Sequence, residues 1–112
     1  MFLPQLVLSV VFILIGLLMA KYPPRKINPL YGYRTRRSMQ STDAWKYAQR
    51  ISSRKMVVAG FGGLLLFIAG WFFHLHEGVQ AILLFASLLS IIGYVIYSVE
   101  RSLAKKFPDI RN

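Results

Sequence analysis

The residues of this chain best suited to chemistry stand close together, between Asn28 and Arg50. Gly32 comes shortly before Arg34 and Thr35, and glycine readily adopts the positive φ angles that a sharp turn requires. Such a turn would present a guanidinium and a hydroxyl together, and arginine can bind a phosphate or carboxylate through two hydrogen bonds. The pattern predicts a site for an anionic group, with Asn28 either sharing the ligand or holding the turn.

A structural role for Arg34 is the alternative. Its guanidinium could pair with Asp43 or cap the carbonyl groups at a helix end, which would lock the loop instead of binding a ligand. Both interpretations stay open on the sequence.

A metal site or a catalytic centre has little support. His74, His76 and Glu77 lie within four residues at a helix end, which is a weak metal pattern and is better interpreted as a solvated turn. The chain has no cysteine, which excludes disulfides and thiolate chemistry, and its four acidic residues offer few general acids or bases. We therefore predict no metal and no cofactor, and a non-enzymatic role is favoured.

Three long apolar runs must position these residues. They cover residues 2–20, 56–73 and 79–99 and are 19, 18 and 21 residues long. A bilayer core about 30 Å thick requires roughly 20 helical residues, so each run can span it. Three buried helices of a soluble protein are the alternative, but too little chain remains to cover them. The sequence predicts an all-α membrane protein with three transmembrane helices.

The basic residues set the expected topology. Of the 14 lysines and arginines, ten lie in the loop 21–55 and four follow Val99, whereas the connection 74–77 has none. Because basic residues accumulate on the cytoplasmic side, we expect the N-terminus outside and the loop and C-terminus in the cytoplasm. No basic residue precedes the first run, which favours a retained helix over a signal peptide.

The second helix should start before the bilayer. Ser41 or Thr42 can cap it, Asp43 complements the dipole of its first turn, and the next proline or glycine comes only after Met56. One helix from about residue 43 to residue 73 would extend into the cytoplasmic interface, with Trp45 and Tyr47 as aromatic anchors there.

Small residues predict how the helices pack, because lipid gives helices no hydrophobic reason to associate. Each run carries a stripe of them, with packing inside the three-helix unit or a face for a homo-oligomer as the two interpretations. The stripes are Ser9, Gly16 and Ala20 in the first run, Ala59 and Gly63 in the second, and Ala86, Ser90, Gly93 and Tyr97 in the third.

The segment from Pro24 to Arg50 resembles the loop of the SdpI family. The shared pattern is an asparagine, an aromatic-Gly-x-Arg-Thr core, a Ser-Met pair, a tryptophan and a closing arginine. These positions are Asn28, Tyr31, Gly32, Arg34, Thr35, Ser38, Met39, Trp45 and Arg50. The chain departs from the family pattern at 48–50, where the family has Thr-His-Arg, and at 36–37, where it has Pro-Trp. The resemblance implies one SdpI-like membrane domain, residues 1–112, of the short, single-module kind.

The resemblance also implies a function. The family's named member is a bacterial immunity protein that protects against a secreted membrane-active peptide and holds a repressor at the membrane. We therefore expect a multi-pass protein of a bacterial cell membrane that confers resistance to a peptide toxin or senses envelope stress through its cytoplasmic loop. Its partners would be a peptide toxin or a cytoplasmic repressor. The predicted binding residues are Asn28, Tyr31, Gly32, Arg34, Thr35, Ser38, Asp43, Trp45 and Arg50.

Two other functions stay open. One is an interfacial enzyme or carrier acting on an anionic lipid or peptide bound by the loop 32–35, and the other is a scaffold for a larger membrane partner. The remaining cations of the loop 21–55 are interpreted as interface charges attracted to anionic lipid head groups, worth about 1 kcal/mol each. Nucleic-acid binding is not predicted, because membrane anchoring already explains aromatic residues beside basic ones.

Overall fold

Three α-helices form the fold in the computed structural model, which describes residues 3–28 and 32–108. They are α1 (Leu3–Lys21), α2 (Thr42–Phe72) and α3 (Glu77–Lys106), and the described part of the chain contains no strand. Each helix is long and apolar enough to cross a membrane. The prediction of an all-α protein with three membrane-spanning helices is confirmed.

The second helix is longer than a bilayer requires. With 31 residues, α2 extends about 46 Å, against about 30 Å for a hydrocarbon core. It begins one residue before the predicted start, and the Ser41 hydroxyl caps it by accepting a hydrogen bond from the Ala44 N–H at 3.1 Å. The first turns of α2 therefore project beyond the membrane, at the end of the bundle that also carries the loop after α1. We call this end the basic end.

The third helix also continues past its apolar run. Hydropathy placed the end of the span at Val99, but α3 runs on to Lys106 before Phe107 and Pro108 leave the helix. The residues between contain no proline or glycine, so nothing interrupts the backbone hydrogen bonds. Two further turns, starting with Glu100, therefore stand at the basic end.

The pairing of α1 with α2 is close because glycines remove side chains from the contact. A Cβ atom on Gly16 would lie 2.7 Å from the Ser53 carbonyl oxygen, and one on Gly60 would lie 3.0 Å from the Ser9 carbonyl oxygen. Ser9 and Gly16 are buried as the small-residue stripe predicted, whereas Ala20 is exposed. The two backbones approach at distances that only glycine permits.

The small-residue stripe predicted for the third helix is not its packing face. Ala86, Ser90, Gly93 and Tyr97 are all exposed. The buried residues of α3 instead recur every four positions and are larger: Ile91, Val95, Val99 and Leu103. The contact between α2 and α3 is therefore filled by aliphatic side chains, and it is less extensive than that between α1 and α2.

An uncharged polar link joins all three helices within the membrane. The Gln5 side chain, 0% exposed, donates to the Gly63 carbonyl oxygen at 3.2 Å and accepts from the Ser87 hydroxyl at 2.9 Å. The Ser9 hydroxyl donates to the Gln5 carbonyl oxygen at 2.8 Å. Because lipid offers no hydrogen-bond partner, these groups satisfy each other and fix the register of the bundle.

Candidate functional site

The loop before α2 starts from a glycine that no other residue could replace without strain. Gly32 has a φ angle of 105°, which side-chain-bearing residues rarely adopt. A Cβ atom there would also lie 2.6 Å from the Gln49 Oε1 atom and 2.7 Å from the Pro24 Cγ atom. The turn predicted at Gly32 is present, and it presses the loop against α2 and the segment that follows α1.

The Gln49 carboxamide holds the next residue of the loop at both ends. The Tyr33 N–H donates to Gln49 Oε1 at 2.6 Å, and Gln49 Nε2 donates to the Tyr33 carbonyl oxygen at 2.7 Å. Gln49 is only 1% exposed, so both hydrogen bonds form away from bulk water. This pair of hydrogen bonds fixes the backbone of Tyr33 to the third turn of α2.

Ser38 closes the turn that follows. Its hydroxyl accepts from the Thr35 N–H at 2.8 Å and shares its proton between the carbonyl oxygens of Thr35 at 2.9 Å and Tyr33 at 3.3 Å. The Ser38 N–H in return donates to the Thr35 hydroxyl at 3.2 Å. Ser38 is 0% exposed, so its role is to shape residues 35–38 from inside.

A carboxylate from α3 completes the arrangement. Glu100 Oε2 accepts hydrogen bonds from the Tyr33 phenol and the Thr35 hydroxyl, each at 3.0 Å. The Arg37 Nε atom lies 3.9 Å from Glu100 Oε1, which is too long for a hydrogen bond but close enough for charge attraction. Arg37 and Glu100 side chains are 19% and 21% exposed. We call Tyr33, Thr35, Arg37 and Glu100 the Glu100 cluster.

The protonation of the cluster follows from its burial. Burial raises the pKa of the Tyr33 phenol above its ordinary value of 10.0, and the charge of the Glu100 carboxylate and its hydrogen bond raise it further. The phenol therefore stays protonated at physiological pH and acts as a hydrogen-bond donor to Glu100.

Trp45 also stabilises the basic end of the bundle. It is 0% exposed, and its indole Nε1 donates to the Pro24 carbonyl oxygen at 2.6 Å. The expected role as an interfacial anchor is therefore wrong for this residue, since its ring is enclosed and its N–H fixes the chain after α1. At the other end of α2, Trp71 is 52% exposed and fits the position of an interfacial aromatic residue.

Comparison with known proteins identifies the family. The sequence profile described as the SdpI/YfhL protein family matches residues 25–98, well over half of the chain. This chain belongs to the SdpI/YfhL protein family. The match confirms the predicted resemblance and covers the loop, all of α2 and most of α3. Tyr33, Thr35 and Gln49 lie inside the matched segment, and Glu100 lies two residues beyond it.

One curated relative from this family is similar over part of its length. The uncharacterized protein YfhL of Bacillus subtilis (strain 168) is 46% identical over 48 residues, which are 43% of this chain and 44% of that protein. The match thus covers less than half of the relative. No solved structure matches this chain significantly.

Four of the residues predicted for the SdpI-type binding site form contacts inside the protein. Gly32, Thr35, Ser38 and Trp45 are brought together, but they contact other parts of the chain instead of lining one cavity. The Thr35 hydroxyl, expected to bind a ligand together with Arg34, is hydrogen-bonded to Glu100. Their role in ligand binding stays a prediction.

The other predicted residues lie at the surface. Arg34, Asp43 and Arg50 are exposed, and no ion pair joins Arg34 to Asp43 within residues 3–28 and 32–108. The Arg50 guanidinium lies 5.7 Å from the centre of the Tyr47 ring. The Asn28 side chain donates to the Lys26 carbonyl oxygen at 3.0 Å, as a residue holding a turn would. Tyr31 falls outside the described residues.

Sequence reasoning missed Tyr33, Gln49, Arg37 and Glu100. Gln49 and Arg37 stood only within departures from the family pattern, and Glu100 lay one residue past the predicted end of the third span. One signal could have found Glu100: residues 100–106 lack helix breakers, which extends α3 and turns an apparent tail residue into a helical one.

Proposed function

We propose that this protein is a non-enzymatic SdpI-type membrane protein that protects a bacterium against a membrane-active peptide or senses envelope stress. Its loop would face the cytoplasm. The observation that carries the proposal is the Glu100 cluster, in which a membrane-spanning helix holds the loop through three side chains.

The cluster gives the membrane a direct connection to the loop. The backbone of Tyr33 is bound to α2 through Gln49, and its phenol is bound to α3 through Glu100. A peptide that separates or rotates α3 against α2 would therefore strain Tyr33 and the turn that contains Thr35. This connection supports a function in which the loop changes conformation when a peptide disturbs the helices in the bilayer.

Arg34 is the residue of the loop best placed for recognition. It is exposed, it forms no hydrogen bond or ion pair in the described part of the chain, and its neighbours Tyr33 and Thr35 are both anchored. A guanidinium held on a fixed backbone can bind a carboxylate or phosphate of a partner with less loss of entropy.

The hydrogen bonds of the loop favour a structural role for its polar side chains over a catalytic role. The hydroxyls of Thr35 and Ser38 and the phenol of Tyr33 are used in hydrogen bonds that shape the loop. An enzyme or carrier acting on an anionic lipid or peptide at residues 32–35 would have to use Arg34 without the Thr35 hydroxyl. Turnover of a lipid that co-purifies in mild detergent would favour this second proposal.

The distribution of charge supports the cytoplasmic position of the loop. The described cations of the segment 21–55 and of the C-terminal part of α3 share the basic end, and the turn between α2 and α3 carries none. Positive charge on one side of a multi-pass protein is typical of the cytoplasmic side of a cell membrane.

The test is survival under peptide challenge. A strain lacking the gene is exposed to a panel of membrane-active peptides and complemented with the wild type, Arg34→Ala or Arg101→Ala, with membrane levels measured by immunoblot. Arg101 is an exposed cation at the same end and serves as the control. We expect the wild type and Arg101→Ala to restore survival against at least one peptide and Arg34→Ala to fail.

Two results would count against the proposal. If no peptide or envelope stress distinguishes the deletion strain from the wild type, the function is wrong. If Arg34→Ala protects fully, recognition does not depend on this side chain.

A further inference from the structure

We propose that a groove between the end of α1 and the first half of α2 binds one anionic phospholipid by its head group. The groove has a volume of about 810 Å³. Five cationic side chains line it, and no acidic side chain does so among the described residues. The five are Arg25, Lys26, Lys46, Arg50 and Arg54. This α1–α2 groove is separate from the Glu100 cluster, and the inference does not depend on the proposed function.

The cations converge from two walls. Lys46, Arg50 and Arg54 follow each other at four-residue spacing, so they form a stripe about 12 Å long on one face of α2. Arg25 and Lys26 belong to the segment after α1, which forms the other wall. All five are exposed, and none forms an ion pair within residues 3–28 and 32–108. Such a concentration of positive charge without an ion-pair partner favours an anion.

The apolar part of the groove points to an amphiphile. Met19 and Ala20, in the last turn of the membrane helix α1, line the groove, and Pro23 continues this surface. Arg25 and Lys26 follow beyond the end of that helix. Along the α1 wall, the lining thus changes from apolar to cationic in the direction that leads out of the membrane. A phospholipid has the same order, with acyl chains in the bilayer and its phosphate at the surface.

The groove is built before any ligand arrives. The Trp45 indole N–H holds the Pro24 carbonyl oxygen at 2.6 Å, and the buried Pro24 ring lies against Gly32. These contacts fix the wall that carries Arg25 and Lys26 at a set distance from α2. A preformed site distinguishes this groove from a diffuse positive surface, because its ligand does not have to order the wall.

The test titrates lipid onto the purified full-length protein in an uncharged detergent and counts bound molecules by native mass spectrometry. The probes are phosphatidylglycerol, phosphatidylcholine and glycerol 3-phosphate. We expect one phosphatidylglycerol to bind at least tenfold more tightly than either of the other two. If phosphatidylcholine binds equally tightly, the groove does not select an anionic head group. If glycerol 3-phosphate binds equally tightly, the groove is a phosphate site that does not use the acyl chains, and the lipid proposal is wrong.

Charge-matched variants locate the site. Lys46→Gln/Arg54→Gln removes two cations from the groove, and Arg101→Gln/Lys105→Gln removes two from the exposed surface of α3. At about fivefold for each cation, the groove pair should lose roughly 25-fold in affinity. The α3 pair should lose less than threefold. Equal losses of affinity in both double variants would mean that binding depends only on overall charge, which would contradict a lipid site in the groove.

A steric variant keeps every charge and tests the same groove. Ala20 is exposed on the groove wall, so Ala20→Trp should fill the apolar part with no change in net charge. We expect it to weaken phosphatidylglycerol binding at least tenfold while helicity by circular dichroism is unchanged. Full binding by a folded Ala20→Trp protein would exclude this groove as the lipid site.

Discussion

The phenol of Tyr33 donates a hydrogen bond to the carboxylate of Glu100 at 3.0 Å, across 67 positions of the sequence. The two residues belong to parts of the chain with different environments, a loop outside the membrane and the end of a membrane helix. Thr35 adds a second hydrogen bond to the same oxygen atom of Glu100. The loop and α3 therefore form one unit at the basic end.

The phenol of Tyr33 should ionise at a higher pH than a tyrosine free in solution. Burial first, and then the Glu100 carboxylate, raise its pKa above the ordinary value of 10.0. Since folding raises this pKa, its contribution to stability is complete below 10.0 and is lost as the pH rises through the folded value. The absorbance of tyrosinate, followed during alkaline titration in detergent, should show a phase above pH 10.0 that is absent in Tyr33→Phe.

The control for this titration is Tyr97→Phe, which changes an exposed tyrosine of α3. It should leave the phase assigned to Tyr33 in place. If that phase survives in Tyr33→Phe, the phenol is not held as the structure describes.

Gly32→Ala should destabilise the protein. The substitution places a side chain at a φ angle of 105° and brings its Cβ atom within 2.6 Å of Gln49 Oε1. The backbone strain alone costs about 1–3 kcal/mol. We expect a lower midpoint of thermal unfolding in mild detergent, together with faster hydrogen exchange in residues 32–38.

Gly93→Ala is the matched control for this substitution. Gly93 lies in α3, where a Cβ atom would have no neighbour within 4 Å. Because alanine favours a helix by roughly 0.5–1 kcal/mol over glycine, its midpoint should stay equal or rise. Equal loss in both variants would remove the argument for a special conformation at Gly32.

Two glycines of α2 should differ sharply when each is replaced by valine. At Gly60 a Cβ atom would lie 2.5 Å from Ile13 Cγ1 and 3.0 Å from the Ser9 carbonyl oxygen, whereas at Gly62 nothing lies within 4 Å. Gly60→Val must push α1 away, at a cost of about 1–3 kcal/mol. Thermal unfolding in detergent should show a lower midpoint for Gly60→Val than for Gly62→Val, and equal midpoints would contradict the described contact of α1 with α2.

The helices could be predicted from the sequence because hydropathy and length decide them. Each apolar run is close to the length that a bilayer core requires, and Ser41 is one of two residues that can cap the helix before Asp43. The positions of Gly16 and Gly63 in a close contact also followed from their size. These features depend on local composition, so no distant partner had to be known.

The Glu100 cluster could not be predicted in the same way. Thr35 and Tyr33 lie 65 and 67 positions away from Glu100 in the sequence. Hydropathy also predicts that α3 ends just before Glu100, because this is the first charged residue after the apolar run. The packing face of α3 was missed for a related reason. Small residues allow close contact but do not require it, and here Ile91 and Val95 fill a wider gap.

The most direct test of the connection between membrane and loop compares the two glutamates of α3. Glu100→Ala removes the acceptor of Tyr33 and Thr35, whereas Glu77→Ala removes a carboxylate from the opposite end of the helix. Survival under the peptide that the wild type resists is measured at equal protein levels in the membrane. We expect Glu77→Ala to protect like the wild type and Glu100→Ala to lose protection, and full protection by Glu100→Ala would contradict the account.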